Sequence, residues 1–391
     1  MYPKVRFRGF DEPWKKVKFS TLLNSKDGIK RGPFGSSLKK SFFVKKSDYV
    51  VYEQQNAIYD QFSTRYFINE VKYNELEAFS LKPNDFILSG SGTIGCISLV
   101  PDNIKKGVIN QALIRIRINQ NITNKFFFLQ WMRSSYMQRR LTQANPGSAI
   151  TNLVPISEIK NWKVTVPNNK IQKHIGKILT QLDTLLSLQQ RKLELESLLY
   201  KHLKRNCFYN NYNFYYSKPK KLNIKMKDII TLEDNQRIPV SENNRKKGIT
   251  PYYGANGIQD YVDGYTHVGQ YILIAEDGAS DIQNYPVIAV NGKVWINNHA
   301  HVLKVNKTVD FSYLLYFLKN FNYFPWLVGS GRFKLNAKTL LNIKISIDSN
   351  TENQRKIGVL LNECDSLTHA TSTRIKLIKD IKQFLLQNLF I

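Results

Sequence analysis

The sequence predicts an α+β (mixed α/β) protein in which two globular blocks, related by internal duplication, alternate with two long helices. Three observations carry this. First, residues 171–208 recur without a gap 182 positions later, as residues 353–390. Gln172, Ile175, Gly176, Leu179, Asp183, Leu185, Leu195, Leu203, Asn206 and Phe208 fall on Gln354, Ile357, Gly358, Leu361, Asp365, Leu367, Leu377, Leu385, Asn388 and Phe390. Second, each copy carries an apolar stripe at helical spacing. Ile175, Ile178, Leu182, Leu185, Leu193, Leu199 and Leu203 form the first, with a polar step at Gln189. Ile357, Leu360, Cys364, Leu367, Thr371, Ile375, Ile378, Ile381 and Leu385 form the second. Steps of three or four residues draw one face of a helix. Third, the segments ahead of the two copies echo one another. Phe86-Ile-Leu-Ser-Gly is matched with Tyr271-Ile-Leu-Ile-Ala, Asn110 with Asn298, and Thr151-Asn-Leu153 with Phe333-Lys-Leu335.

Neither helical run meets Pro or Gly after its first turn. At 1.5 Å per residue each is about 45–55 Å long. A helix of that length needs a partner for its stripe, and the nearest matching stripe is the other copy. Two unrelated core helices would not share a gapless match that includes Gly, Asp and Asn. The chain divides at 1–167, 168–208, 209–348 and 349–391.

The first block shows strand-like runs at 49–52, 85–89, 96–100, 112–118 and 162–166, and a short helical turn at 19–23. It holds a basic glycine–serine turn, Lys30-Arg-Gly-Pro-Phe-Gly-Ser-Ser-Leu-Lys-Lys40, and a small-residue loop, Ser89-Gly-Ser-Gly-Thr-Ile-Gly95. Residues 126–141 read as one amphipathic helix carrying Arg133, Arg139 and Arg140. A polar loop follows at 143–153, and 209–222 reads as a linker. The second block has Tyr252-Tyr-Gly-Ala-Asn-Gly-Ile258, Tyr271-Ile-Leu-Ile-Ala-Glu-Asp-Gly278, strands at 287–290 and 343–347, a helix at 311–321, and the loop Gly329-Ser-Gly-Arg-Phe-Lys-Leu335.

The net charge of +27 predicts a polyanionic partner, nucleic acid first. The basic residues are dispersed through both blocks, which argues against a membrane surface. There is no run of 18 apolar residues, and the amino terminus has no signal-peptide pattern. Cys96, Cys207 and Cys364 are odd in number and far apart, as expected of a reduced, cytoplasmic chain without a disulfide frame or zinc site.

No catalytic constellation is present. A Gly-x-x-x-x-Gly-Lys-Ser/Thr phosphate loop is absent, and so is an Asn-Pro-Pro-Tyr adenine-methylation motif. Glu70-Val-Lys72 and Glu158-Ile-Lys160 mimic part of a nuclease motif at a frequency chance supplies. His299 and His301, two apart on a strand, face one side. They lack an evident third ligand, so no metal is expected. A basic nuclease or DNA-modifying enzyme with a degenerate motif, and a non-enzymatic coiled-coil scaffold, are the alternatives to DNA recognition.

Several of these stretches together resemble the specificity subunit of type I restriction-modification enzymes. The carriers in the first half are Gly32-Pro-Phe-Gly-Ser-Ser-Leu38, Ser91-Gly-Thr-Ile-Gly95 and Asn110-Gln111. In the second they are residues 252–262, the Glu276-Asp-Gly278 turn and Gly292-Lys-Val-Trp-Ile-Asn-Asn-His-Ala-His-Val-Leu303. The resemblance covers nearly the whole chain and departs at Gln111, set against His299. It implies two target-recognition domains, each reading half of a bipartite DNA site, and two helices packed antiparallel as a coiled-coil-like spacer. It implies double-stranded DNA, two DNA-adenine methyltransferase subunits and restriction (motor-nuclease) subunits as partners. S-adenosylmethionine, ATP and magnesium then belong to the partners, and this chain is non-catalytic.

DNA recognition combines phosphate contacts from Lys and Arg with base contacts from amides, hydroxyls and Arg. Loops on rigid blocks are the expected carriers. The candidates are Arg31, Ser36, Lys39, Lys40, Gln143, Asn145, Ser148, Thr151 and Asn152 in the first block. In the second they are Tyr252, Asn256, Ser330, Arg332 and Lys334. The spacer stripe is Ile175, Leu182, Leu185, Leu193, Leu199, Leu203, Ile357, Leu360, Leu367, Ile375, Ile378 and Leu385. Its polar step near Gln189 and Thr371 is the expected least-packed point.

Overall fold

The two repeats are helices Asn169–Phe208, of 40 residues, and Thr351–Asn388, of 38. They belong to a computed structural model that describes residues 2–142, 153–208 and 220–390. The chain divides into two units, Met1–Gln190 with Arg374–Ile391, and Arg191–Thr373. Each unit therefore holds one block, the start of one long helix and the end of the other.

In the first unit, Ile29–Arg31, Leu113–Ile116, Phe86–Ser89 and Ile97–Leu99 form a four-stranded antiparallel sheet in that order. Side chains alternate between its faces. Phe86, Leu88, Ile114 and Ile116 join Phe127, Phe128 and Trp131 of helix Lys125–Arg133, while Ile87 and Leu113 join Val50 and Tyr52 in a second core. A further four-stranded sheet runs Phe43–Val44, Tyr66–Ile68, Tyr49–Tyr52, Gly107–Ile109. This unit also buries charge. Arg115, 1% exposed, donates to Asp27 and to the carbonyls of Ala78 (3.0 Å) and Ser80 (2.7 Å). Arg117 donates to Asp27 and, at 2.7 Å, to Asp85. Burial, and then Arg117, draws the Arg115 guanidinium below its ordinary range against the pull of the two carboxylates.

The second unit carries a six-stranded sheet in the order Ile230–Leu232, Ala300–Val305, His267–Ala275, Val287–Ile296, Lys247–Gly254, Gly257–Val262. Ile272 and Ile274 pack with Tyr313, Leu314 and Leu318 of helix Phe311–Lys319, and Tyr271 and Leu273 face the opposite core. Both units close on a two-stranded ladder, Lys15–Lys18 with Lys163–Val166 and Lys221–Lys225 with Lys344–Asp348. Part of the expected linker at 209–222 is thus strand, and residues 209–219 lie outside the described residues.

The repeated residues of the helices seat them on their blocks. Gln172 Oε1 accepts the Asn124 amide at 2.8 Å and its Nε2 donates to the Pro167 carbonyl at 2.9 Å. Gln354 does the same with Asp310 (2.9 Å) and Asp348 (2.6 Å). Asn124 and Asp310 are the N-caps of Lys125–Arg133 and Phe311–Lys319. Gly176 and Gly358 lie against those same helix starts. A Cβ would fall 2.6 Å from the Phe127 nitrogen in one and 2.8 Å from the Tyr313 nitrogen in the other, so only glycine fits. Asp183 accepts from Gln130 (2.6 Å) and Lys382, and Asp365 from Tyr316 and Lys319 (both 3.2 Å). Phe390 packs on Phe127, and Phe208 on Tyr313. The order of these contacts makes the two helix segments antiparallel inside each unit.

Several expectations are corrected. Residues 126–141 form two helices, Lys125–Arg133 and Ser135–Thr142, because buried Ser134 is extended (ψ 150°) and its hydroxyl donates to the Trp131 carbonyl at 2.6 Å. Leu185, Leu199 and Leu367 are 40%, 53% and 54% exposed and lie off the buried stripe, while Leu179 and Leu361, both 0% exposed, lie on it. The reason is that Leu185 and Leu367, ten residues after buried Ile175 and Ile357, have turned about 80° off that face at about 100° per residue. Leu203 packs with Ile357 and Leu361, whereas Leu385 packs in the first unit's core. Thr371 is 2% exposed, so the polar step is not an open position there; a small β-branched side chain with a methyl group packs like an apolar one.

The block echoes are each displaced by one residue. Phe86 pairs with Ile116 as Ile272 pairs with Leu303, so Phe86 corresponds to Ile272 and not to Tyr271. Asn110 donates its amide to the Tyr52 carbonyl and accepts from the amide two residues on. Asn297 does the same with Tyr253 and His299, so Asn110 corresponds to Asn297 and not to Asn298. Val154, 2% exposed two residues before helix Ile156–Asn161, takes the place of Leu335 before Ala337–Asn342. In a strand a one-residue slip exchanges the faces, and letter similarity alone does not reveal it.

Candidate nucleic-acid interface

Each unit gathers its loops at one end of its sheet around a turn that follows the central strand. In the second unit this is Glu276-Asp277-Gly278, with Gly278 at φ +72°; in the first it is Gly90-Ser91-Gly92, with Gly92 at φ +67°. The Gly90 and Glu276 amides donate to the Ala112 and His299 carbonyls, which makes the turns equivalent. A carboxamide braces each from outside. Gln54 Nε2 donates to the Ser91 and Thr93 carbonyls. Asn256 Nδ2 donates to the Gly278 carbonyl at 2.9 Å, and its Oδ1 accepts the Ser280 amide at 2.8 Å.

The chemistry on the two turns differs. Asp277 lies 2.5 Å from His299 Nδ1 and 3.1 Å from Arg332. Burial pushes its carboxyl up, but the His299 hydrogen bond and the Arg332 charge outweigh that and hold it below the usual range. Glu276 is held low in the same way by Arg237, at 2.7 Å, and by Lys334, at 3.0 Å. Asp234, Glu276 and His301 have metal-ligand spacing, with ligand atoms within 4.8 Å of one another. Their atoms are already engaged: His301 by Asp234 (2.6 Å) and the Leu335 carbonyl (2.7 Å), and both carboxylates by Arg237. The cluster therefore ties the sheet to the 329–335 loop. In the first unit Gly90, Ser91 and Ala112 occupy the equivalent places and carry no charge.

The sequence candidates separate on this geometry. Ser36, Lys39 and Lys40 are exposed on the 30–40 loop, and Lys40 lines a cleft of about 360 Å³ with Pro33, Arg65, Asn110 and Gln111. Arg31 lines a neighbouring cleft of about 510 Å³, with its Nε donating to the Gln111 carbonyl at 3.1 Å. Phe34 stands at that loop's tip, 86% exposed. Gln143, Asn145, Ser148, Thr151 and Asn152 lie outside the described residues. Ser330, Arg332 and Lys334 share one exposed loop, and Asn256 braces the turn beside it. Tyr252 is not a surface group. It is 1% exposed, stacks on Trp295 and bonds through its hydroxyl to the Val240 backbone at 3.0 Å. Its phenol reaches inward because the strand alternation puts it on the core side. His299, 39% exposed, and Gln111 and Asn298, both exposed, were not among the candidates. The repeated Asn before Gln111 and Asn298 was the available signal, hidden by the one-residue slip.

No helix among the described residues is long and apolar enough to cross a membrane. Among the comparisons with known proteins, a putative type I restriction enzyme specificity subunit of Haemophilus influenzae is 40% identical over 145 residues, 37% of this chain and 37% of that one. The EcoprrI type I specificity subunit of Escherichia coli is 26% identical over 141 residues, 35% of this chain. The matches thus span about a third of those relatives' own lengths, 37% and 34%. The crystal structure of a type I restriction-modification S subunit from M. genitalium superposes with a TM-score of 0.70 at 18% identity, covering 100% of this chain and 99% of that one, and shares its fold. Residues 13–197 and 207–380 each match the type I restriction modification DNA specificity domain. With two copies of that domain across most of its length, the chain belongs to the type I restriction modification DNA specificity family.

Proposed function

We propose that this chain is the DNA-reading subunit of a type I restriction-modification complex, and that each block reads one half of a bipartite site. The observation that carries this is the contrast inside the duplication: equivalent helix seats under loop ends of different chemistry. Residues 1–167 and 209–348 are the recognition domains, and 168–208 and 349–391 the spacer between them. The charge of +27 supplies phosphate attraction. Exposed Ser36, Lys39, Lys40, Ser330, Arg332 and Lys334 are the loop groups nearest to hand for DNA. With no catalytic motif in its sequence, the chain leaves chemistry to partners. Two methyltransferase subunits bring S-adenosylmethionine, and motor-nuclease subunits bring ATP and magnesium. The test is methylation mapping in a host expressing the chain with a type I methyltransferase. The expected result is one motif of two short specified halves around a fixed gap. An uninterrupted motif, or methylation or cleavage by the purified chain alone, contradicts the reading.

A further inference from the structure

The corrected register brings together two residues that the sequence pairing kept apart. Gln111 and Asn298 each follow the buried or half-buried asparagine of the equivalent turn, Asn110 in one unit and Asn297 in the other. Both turns are fixed in the same two ways. The asparagine amide donates to the neighbouring tyrosine carbonyl, at 3.0 Å in each unit, and its side-chain oxygen accepts the amide two residues on, at 3.1 Å and 2.8 Å. An arginine then grips the main-chain carbonyl of the next residue: Arg31 Nε on Gln111 at 3.1 Å, and Arg237 on Asn298 at 3.4 Å. The backbone of each residue is held, while its carboxamide is exposed and has no protein hydrogen-bond partner among the described residues. Gln111 stands at the wall shared by the two clefts, beside Gly35, where a Cβ would come within 3.0 Å of its Oε1. Asn298 stands beside His299 and the Asp277–Arg332 pair.

A rigid backbone presenting a free carboxamide is what direct readout of adenine needs, since Asn and Gln pair in bidentate fashion with its N6 and N7 in the major groove. We propose that Gln111 and Asn298 are the equivalent base-reading residues of the two blocks, each specifying one adenine in its own half-site. This rests on the bipartite reading above. Arg31 and Arg237 are positioning residues that act through the turn.

The test is selection from a pool of random duplexes by the full chain in complex with a methyltransferase. Gln111→Ala should relax one position of one half-site by about tenfold to a hundredfold, and Asn298→Ala one position of the other. Gln111→Glu should move preference at the same position from adenine to cytosine, whose N4 donates to a carboxylate; a residue that only supports the fold cannot do that. An unchanged motif, relaxation in both halves by one substitution, or a uniform loss on all sequences overturns the proposal. Should the unsubstituted complex select no bipartite motif, the functional reading fails first. A bipartite motif indifferent to both residues sinks this inference alone.

Discussion

The seats of the long helices and the loop ends of the blocks are built on the same duplicated frame, yet they diverged to very different degrees. At the seats, Gln172 and Gln354, and Gly176 and Gly358, make the same contacts to the same positions of the helix they meet, and Asp183 and Asp365 each accept from that helix, through Gln130 and Tyr316. At the loop ends, backbone bonds persist while the side chains do not: Ser91 stands for Asp277, and Ala112 for His299. A seat must satisfy buried polar groups and a close backbone approach, so few residues serve. A loop end is exposed and tolerates exchange. On the proposed function, the difference assigns positioning to the helices and discrimination to the loops.

The largest effect that would sharpen the comparison belongs to the Arg115–Asp27–Arg117 cluster of the first unit. Asp27→Ala leaves Arg115 and Arg117 without their shared carboxylate, and costs about 3 kcal/mol or more. Calorimetry should show one transition falling and the other holding. Next comes the seat. Gly176→Ala should destabilise by about 1–3 kcal/mol through overpacking against the Phe127 backbone, although Ala favours an exposed helix by about 1 kcal/mol. Gly358→Ala should act alike on the second unit, and a stabilised variant in chemical denaturation would break the equivalence of the seats.

The ionic turn of the second unit gives a pH signature. Asp234, Glu276 and Asp277 are all held below the usual carboxylate range. Such groups contribute stability that is complete above their unfolded values and is lost as pH falls through the lowered folded ones. Acidification below about pH 4 should therefore loosen the 329–335 loop, seen as faster amide exchange there, and Asp277→Asn should shrink the effect. The smallest effect is on DNA. Arg332→Ala or Lys40→Ala should reduce the salt slope of DNA binding by about one contact each, measured by titration at several salt concentrations.

The two long helices and the strands at 49–52, 86–89, 97–99, 113–116, 163–166 and 344–348 were legible because their signals are periodic and local. The seats were visible as identities, though their meaning needed the N-caps Asn124 and Asp310, which lie far off in sequence. What escaped was register. Phe86 against Tyr271 reads well as letters but puts a core residue against one from the opposite face. The same slip concealed Gln111 and Asn298. Tyr252 was misread because an aromatic in a glycine-rich stretch looks like a loop group, whereas its strand carries it inward. The proposed spacer implies that the helices set the gap between the half-sites. A four-residue helical insertion after Gln190, matched after Thr373, lies where the units divide. It should lengthen the gap by about 6 Å, near two base pairs, while an unmatched single residue should impair assembly.

The most direct test of the account exchanges residues 1–167 for the same block of a relative and maps the methylated motif. The first block ends at strand Lys163–Val166 and its helix begins at Asn169, so the exchange keeps the long helices whole. One half of the motif should change while the other half and the gap stay as they were. A change in both halves, or in neither, would contradict the account.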